Sequence, residues 1–397
     1  MTSQQQGREP TLLYILGLKP EKVGGMELFC RALAQRLLSL RWRVVFCCEA
    51  SPSDAVRQAL DFPNIAWEVI PVQAGFSARR ALECAQLVRK YKPSVVIYAF
   101  NGVLRPYPWI SRLLGVDRIF YNDHTSRELP SGRRSVVKRA LGRMITLPLS
   151  GSICVSDYTR RCELAEGFIA PERIETVYNG IDLGRVASAA GRGRSFRERF
   201  AIPPEKKVVL QVCWMVPVKG VDKLLEAARV VIDRVPEAHF VLAGEGPNRP
   251  AYEALSRELG IANSVTWTGM VKNPISEGLF DAAELCCLFS QWQEACPLAV
   301  LEAMTSGVPV ISSNSGGLPE LVADGRTGFV VDKDDITGLA QKIVLLLEDS
   351  ELRTQFGANA RRWVADRFDL NRTVDAYVER LTGAPARHAA VQQEVAL

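Results

Sequence analysis

Residues 290–320 read "SQWQEACPLAVLEAMTSGVPVISSNSGGLPE". Just before them, "ELCCLFS" is a short apolar run of the kind that forms a buried strand. Pro297 suits the first position of a helix, and the pattern predicts one over 297–306. "VPVISS" is the next strand, and "SGG" at Ser315–Gly317 opens a further short helix. Strand, helix, strand and glycine turn make the repeating unit of a doubly wound α/β sheet. Between Glu294 and Glu320 this unit carries a single charge, Glu302. An unpaired carboxylate in such surroundings is costly unless it finds a partner or shifts its pKa. The ordinary partner would be solvent or a structural arginine.

The unit recurs along the chain. "TLLYILGL" is a strand that runs through "KPEKVGG" into the helical "MELFCRALAQRLLSL". "WRVVFCC", "SVVIYAF", "RIFYND" and "GSICVS" are further strands, with a helix in "ALECAQLVRKYKP". Small, basic and proline residues then interrupt the alternation, and a linker is predicted over 185–206. Beyond it the pattern restarts with "KVVLQVCW", "AHFVLAG", "SVTWTG", "ELCCLFS", "VPVISS" and "GFVV". The fold class is therefore α/β with two doubly wound, Rossmann-like domains, over 1–184 and 207–369, followed by a helix and frayed tail over 370–397.

Composition fits this reading and excludes others. Hydrophobic residues make up 47% and mean hydropathy is +0.02, as in a packed globular chain. No apolar run reaches the roughly 18 residues of a membrane span. The opening "MTSQQQGREP" lacks a leader pattern. Ten cysteines show no CxxC or Cys/His metal spacing and read as buried thiols of a reducing, cytoplasmic compartment. Charge is lopsided: 28 Lys/Arg stand against 17 Asp/Glu up to Arg194, and 21 against 27 beyond it. The two halves face different partners or each other.

In open parallel sheets, ligands bind beyond the carboxyl ends of the strands, where glycine turns expose helix N-termini to anions. Gly24-Gly25, Ser315–Gly317 and "AGEGP" at 243–247 are such turns, although none spells GxGxxG. Glu294 falls in the loop before the predicted helix and Glu302 on its second turn, roughly 7–8 Å along the axis. A phosphate at the helix start would have a carboxylate on either side, one suited to a ribose and one to a sugar.

The chain resembles the retaining glycosyltransferases of family 4, which have the GT-B fold. The family signature is two glutamates separated by seven residues, as in Glu294 and Glu302. "VPVKGVDKLLEA", "VLAGEGP", "VYNGIDL", "ICVSDYTRR" and "GGMELFCRALAQRL" also match, in the expected order. The resemblance implies two domains facing across a cleft. The first would take the acceptor and the second a UDP- or GDP-sugar, and the terminal helix would return toward the first. Glu302 would bind the ribose, Glu294 the transferred sugar and Lys219 the diphosphate. The amides of Leu298 and Ala299 would support the diphosphate from one side and Gly24-Gly25 from the other. His124 would lie near the sugar and acceptor. No metal or other cofactor is expected. The alternatives on the same fold are a nucleotide-sugar epimerase and an inactive sugar-nucleotide-binding subunit.

Two departures from the family pattern stand out. Cys213-Trp214 occupies the place of a common Gly-Arg pair, so one diphosphate cation is missing, and packing is the expected role of Trp214. Ala295-Cys296-Pro297 replaces a usual Gly-aromatic-Gly. "VDKDD" at 331–335 looks like a metal-binding DxD, but a helix follows at once, so Asp334 or Asp335 is read as its cap. Residues 127–143 hold six Lys/Arg against one Glu. Val136, Val137, Ala140, Leu141 and Met144 form an apolar stripe opposite Arg133, Arg134, Lys138 and Arg139. A basic amphipathic helix of this kind suits an anionic membrane surface and a lipid-linked or saccharide acceptor. Nucleic acid is not expected, because no aromatics are interleaved with the basic run. The expected place of action is cytoplasmic, peripheral at the inner membrane face.

Overall fold

The computed structural model describes residues 9–74, 77–130, 135–187 and 191–383. The opening octapeptide, Arg133, Arg134 and the tail beyond 383 lie outside the described residues, and so do the readings that fell on them.

The first sheet has seven parallel strands: β1 (Thr11–Leu16), β2 (Arg43–Cys48), β3 (Ile65–Val69), β4 (Val95–Ala99), β5 (Arg118–Asp123), β6 (Gly151–Cys154) and β7 (Ile174–Thr176). Their order is β3-β2-β1-β4-β5-β6-β7. The second sheet contains β8 (Lys207–Val212), β9 (Ala238–Ala243), β10 (Val265–Gly269), β11 (Leu285–Leu288), β12 (Val310–Ser313) and β13 (Gly328–Val331), in the order β10-β9-β8-β11-β12-β13. Every residue of β1, β4, β9, β11 and β12 is buried, as expected when helices cover both faces of a parallel sheet. The order reverses beside β1 and β8, and the crevices there receive the loops that carry Gly24-Gly25 and Lys219.

Two elements depart from the sequence reading. The edge strands β3 and β7 were not anticipated. "IAWEV" and "IET" carry glutamates and are only partly buried, so they lack the apolar signature of the central strands. The predicted linker is partly folded: Gly193–Arg199 is a helix whose Phe196 enters the core of the second domain with Ile202. Two of its arginines are held by that domain, Arg197 on Glu284 at 2.9 Å and Arg199 on Glu277 at 2.7 Å.

The chain crosses between the domains twice, and the crossings lie side by side. Ile181 N–H donates to Phe368 O at 2.8 Å, and Leu370 N–H donates to Ile181 O at 3.1 Å. The helix Leu370–Thr382 then packs on the helix Gly25–Ser39 of the first domain. Tyr377 meets Phe29 edge-on at 4.8 Å, and Asp375 pairs with Arg36 at 2.7 Å. No described helix is long and apolar enough to cross a membrane.

Candidate active site

Lys219 ends the 3₁₀ turn Pro217–Lys219 after β8. Gly220 follows with φ +64°, where a Cβ would lie 2.0 Å from Phe289 O, so only glycine lets the turn seat against β11. The seating brings Lys219 Nζ to within 2.5 Å of Glu294 Oε1, which also accepts from the Ser290 hydroxyl. Glu294 is buried, and its backbone is tied to Gly317 N–H at 2.7 Å. Ser313 and Ser315 both donate to Ser290 O, at 2.7 and 2.9 Å, and anchor the loop from its other end.

The helix after this loop is Leu298–Thr305, starting one position later than the sequence pattern suggested, so that Pro297 is its N-cap rather than its first residue. Glu302 lies on its second turn, partly buried. Burial pushes its carboxyl up to about 7, while Arg185 and Lys22 pull it down. Its side chain lines a cavity of about 320 Å³ with Lys22, Gly24, Gly25, Arg185, Trp214 and Leu298. A second cavity of about 280 Å³ is lined by Glu294, His124, Phe100, Asn179, Gly25 and Leu298, among others. The two cavities share Gly25 and Leu298, one from each domain. A Cβ on Gly25 would lie 1.8 Å from Leu298 Cδ1, so glycine is required where the domains meet. Lys219 reaches this region through Glu294. Ala299 sits beside Leu298 on the same first turn but lines neither cavity.

His124 follows β5 directly. Its ring stacks on Phe100 at 4.6 Å and 15°, and Nε2 lies 2.8 Å from Asn122 Oδ1. Asn122 is fully buried. Its amide donates to Ile153 O at 3.0 Å, so Oδ1 faces both Tyr14 OH, at 2.7 Å, and the imidazole. The imidazole must therefore carry its proton on Nε2. Burial pulls the His124 pKa down to about 4, against the opposing pull of Asp123, and the ring is neutral at pH 7. Asp123 itself lies with Cys154 and Glu163 in a buried cluster. Arg127 pairs with Asp123 at 2.8 Å, and burial together with Asp123 raises Glu163. The cluster thus holds one ion pair, with Glu163 pushed toward its neutral form.

Several sequence readings can be compared with these positions. Asp335 caps the helix Ile336–Glu348 by accepting from Gly338 N–H at 2.8 Å, as the capping reading of "VDKDD" required. Burial pushes the Cys296 thiol up to about 12, which keeps it protonated and a poor nucleophile. All ten cysteines are free. Trp214 is not packed inside: it is 53% exposed at the wall of the larger cavity. It belongs to neither core cluster of the second domain. Phe100, Asn179 and Lys22 were not singled out from sequence. Asn179 lies inside the matched "VYNGIDL", which was the available signal. Phe100 takes a left-handed φ of +57° that no local pattern announces.

Comparisons with known proteins agree with this architecture. The model of glycosyl transferases group 1 matches residues 194–363, and that of glycosyltransferase family 4 matches residues 23–185. A D-inositol 3-phosphate glycosyltransferase of Salinispora arenicola is 31% identical over 406 aligned residues, covering 94% of this chain and 90% of its own. A GDP-mannose-dependent alpha-(1-6)-phosphatidylinositol monomannoside mannosyltransferase of Mycobacterium tuberculosis is 31% identical over 64% of this chain and 66% of its own. Among solved structures, HepE of Anabaena in complex with UDP superposes with a TM-score of 0.77 at 21% identity, over 94% of this chain and 100% of that one. Two facing parallel-sheet domains, a paired-glutamate loop and helix, and matches across both halves together place the chain in glycosyltransferase family 4, with the GT-B fold.

Proposed function

We propose that the chain moves a sugar from a UDP- or GDP-sugar to an acceptor hydroxyl with retention of anomeric configuration, in cell-surface polysaccharide or glycolipid synthesis. One arrangement carries the reading: Glu302 and Glu294 stand on the walls of two cavities that share Gly25 and Leu298. In this reading the ribose sits at Glu302, the sugar at Glu294 and His124, and the diphosphate at the boundary between them. UDP in the Anabaena relative, and the GDP-mannose and phosphatidylinositol mannoside in the name of the mycobacterial one, support these substrate classes.

The bond from the anomeric carbon to the phosphate oxygen breaks as the acceptor oxygen bonds to the same face. The acceptor proton passes to the departing phosphate oxygen. Lys219 shifts from Glu294 toward the diphosphate, and the amides at the start of Leu298–Thr305 face the growing negative charge. The protein positions and stabilises, so neither an enzyme nucleophile nor a resident metal is needed in this scheme.

The acceptor side is read from the helix Val136–Thr146. Its Gly142 seats on Phe168, and Arg143 donates to Gly167 O at 3.2 Å, so this face is turned inward. Val136 and Val137 are 82% and 77% exposed, and Leu141, Met144 and the neighbouring Leu113 are exposed beside them. Exposed apolar residues around the outward Lys138 suit the anionic inner face of a membrane and a lipid-linked acceptor.

Incubation with labelled UDP- and GDP-sugars and a membrane lipid extract tests the proposal. A product whose anomeric configuration by NMR matches the donor's supports it. Inverted product overturns retention, interconverted donor points to an epimerase, and binding without turnover points to an inactive subunit.

A further inference from the structure

The larger cavity has an unusual source of positive charge. Trp214 stands where the family resemblance calls for an arginine, and its indole offers the cavity no cation. Lys219, the remaining family cation, is engaged by Glu294 at 2.5 Å. Carboxylates are close at hand: Glu245 and Glu302 line the cavity, and Glu27 Oε2 accepts from Gly24 N–H at 2.9 Å at its edge. An anionic ligand entering such a site needs opposing charge from elsewhere. Lys22 provides a candidate. It lies two residues before Gly24, lines the cavity together with Trp214 and Glu302, and is exposed. It makes no ion pair with another described residue, yet its charge is felt at Glu302.

We infer that Lys22 supplies to the donor diphosphate the charge that position 214 no longer carries, so that this chain grips its donor with a cation from the first domain. The inference rests on the nucleotide-sugar reading above. Lys22 leads into the Gly24-Gly25 loop, and the N-terminus of Gly25–Ser39 presents its positive end to the same space. Two of the elements that favour an anion there thus belong to the domain opposite the nucleotide. Arg185 and Lys272 also line the cavity; Arg185 already interacts with other groups, and Lys272, exposed after β10, is not among the charges felt at Glu302, as Lys22 is.

Calorimetric titration of the full chain with UDP and GDP at low salt tests this, with uridine and guanosine as uncharged probes. Lys22→Ala should weaken the diphosphate that binds the parent about tenfold and leave the corresponding nucleoside within twofold. Lys22→Arg should keep parental affinity. Trp214→Arg in the Lys22→Ala background should recover most of the loss, because it restores a cation on the opposite wall. Parental diphosphate affinity in Lys22→Ala, or an equal loss for diphosphate and nucleoside, overturns the inference while leaving the donor reading in place. A parent that binds neither diphosphate overturns the donor reading, and this inference with it.

Discussion

Lys219 and Glu294, 75 residues apart in sequence, form one buried-edge ion pair, with Nζ 2.5 Å from Oε1. The side chains are 25% and 9% exposed, so solvent screens the pair only in part. Removing one partner leaves a poorly solvated charge behind. Lys219→Ala is expected to cost about 3 kcal/mol in urea unfolding, and adding Glu294→Gln should return part of that loss. Both single variants should also lose turnover. A Lys219→Ala protein as stable as the parent would contradict the pairing.

Glu302 links stability to function with opposite signs. Its carboxyl is raised from 4.5 to about 7 in the folded chain. A raised folded pKa means that its contribution is fully present below about pH 4.5 and is lost as pH climbs through about 7. Glu302→Gln should therefore be more stable than the parent to urea at pH 8, by on the order of 2–3 kcal/mol, with little difference at pH 4.5. The same variant should bind the sugar nucleotide less tightly. Parental affinity should rise between pH 6 and 8, because only the ionised carboxylate accepts from both ribose hydroxyls.

His124 should behave as a neutral acceptor throughout the working range. Its pKa falls from 6.5 to about 4, so the stability it contributes is complete above 6.5 and is lost as pH drops through about 4. The ring C–H shifts of His124 in NMR should stay constant between pH 5.5 and 8, as should those of His239, which burial also pulls down to about 4. His124→Ala should lower kcat about a hundredfold with donor Kd nearly unchanged. A His124 titration near 6.5 would remove the basis for this role.

Much of this was legible in the residues, and the exceptions have physical causes. Continuous apolar runs marked β1, β4, β9 and β12, because strands buried on both faces need no alternation. The spacing of Glu294 and Glu302 announced a loop and helix, and the two glutamates line adjoining cavities. The edge strands β3 and β7 escaped because one side of each has no neighbour. Phe196 escaped because its apolar ring sits among arginines whose partners, Glu277 and Glu284, are distant in sequence. The exposure of Trp214 escaped because an aromatic after a buried strand ordinarily packs inward.

The helix Val136–Thr146 makes the membrane reading testable without touching the clefts. Arg139 and Arg143 contact Gly167 and serve packing as well as charge, so the informative positions are the outward ones. Val137→Asp with Met144→Asp should abolish sedimentation with anionic vesicles. Lys138→Gln should weaken it about fivefold, near the 1 kcal/mol of a basic residue at such a surface. Donor Kd should not move. Parent protein that stays in the supernatant at low salt would instead favour a soluble acceptor.

The return of Leu370–Thr382 onto Gly25–Ser39 has a consequence for how the protein is made. The core around Phe29 includes Leu370, Val374, Tyr377 and Leu381, all of which follow the second domain in the chain. The first domain therefore begins synthesis early yet cannot close its own core until the second has been completely translated. Through that interval it carries an uncovered apolar groove along Gly25–Ser39, while the second domain is free to fold ahead of it. The groove along Gly25–Ser39 is thus covered only by residues made after the second domain, and a nascent chain halted before Leu370 should expose it to an apolar dye.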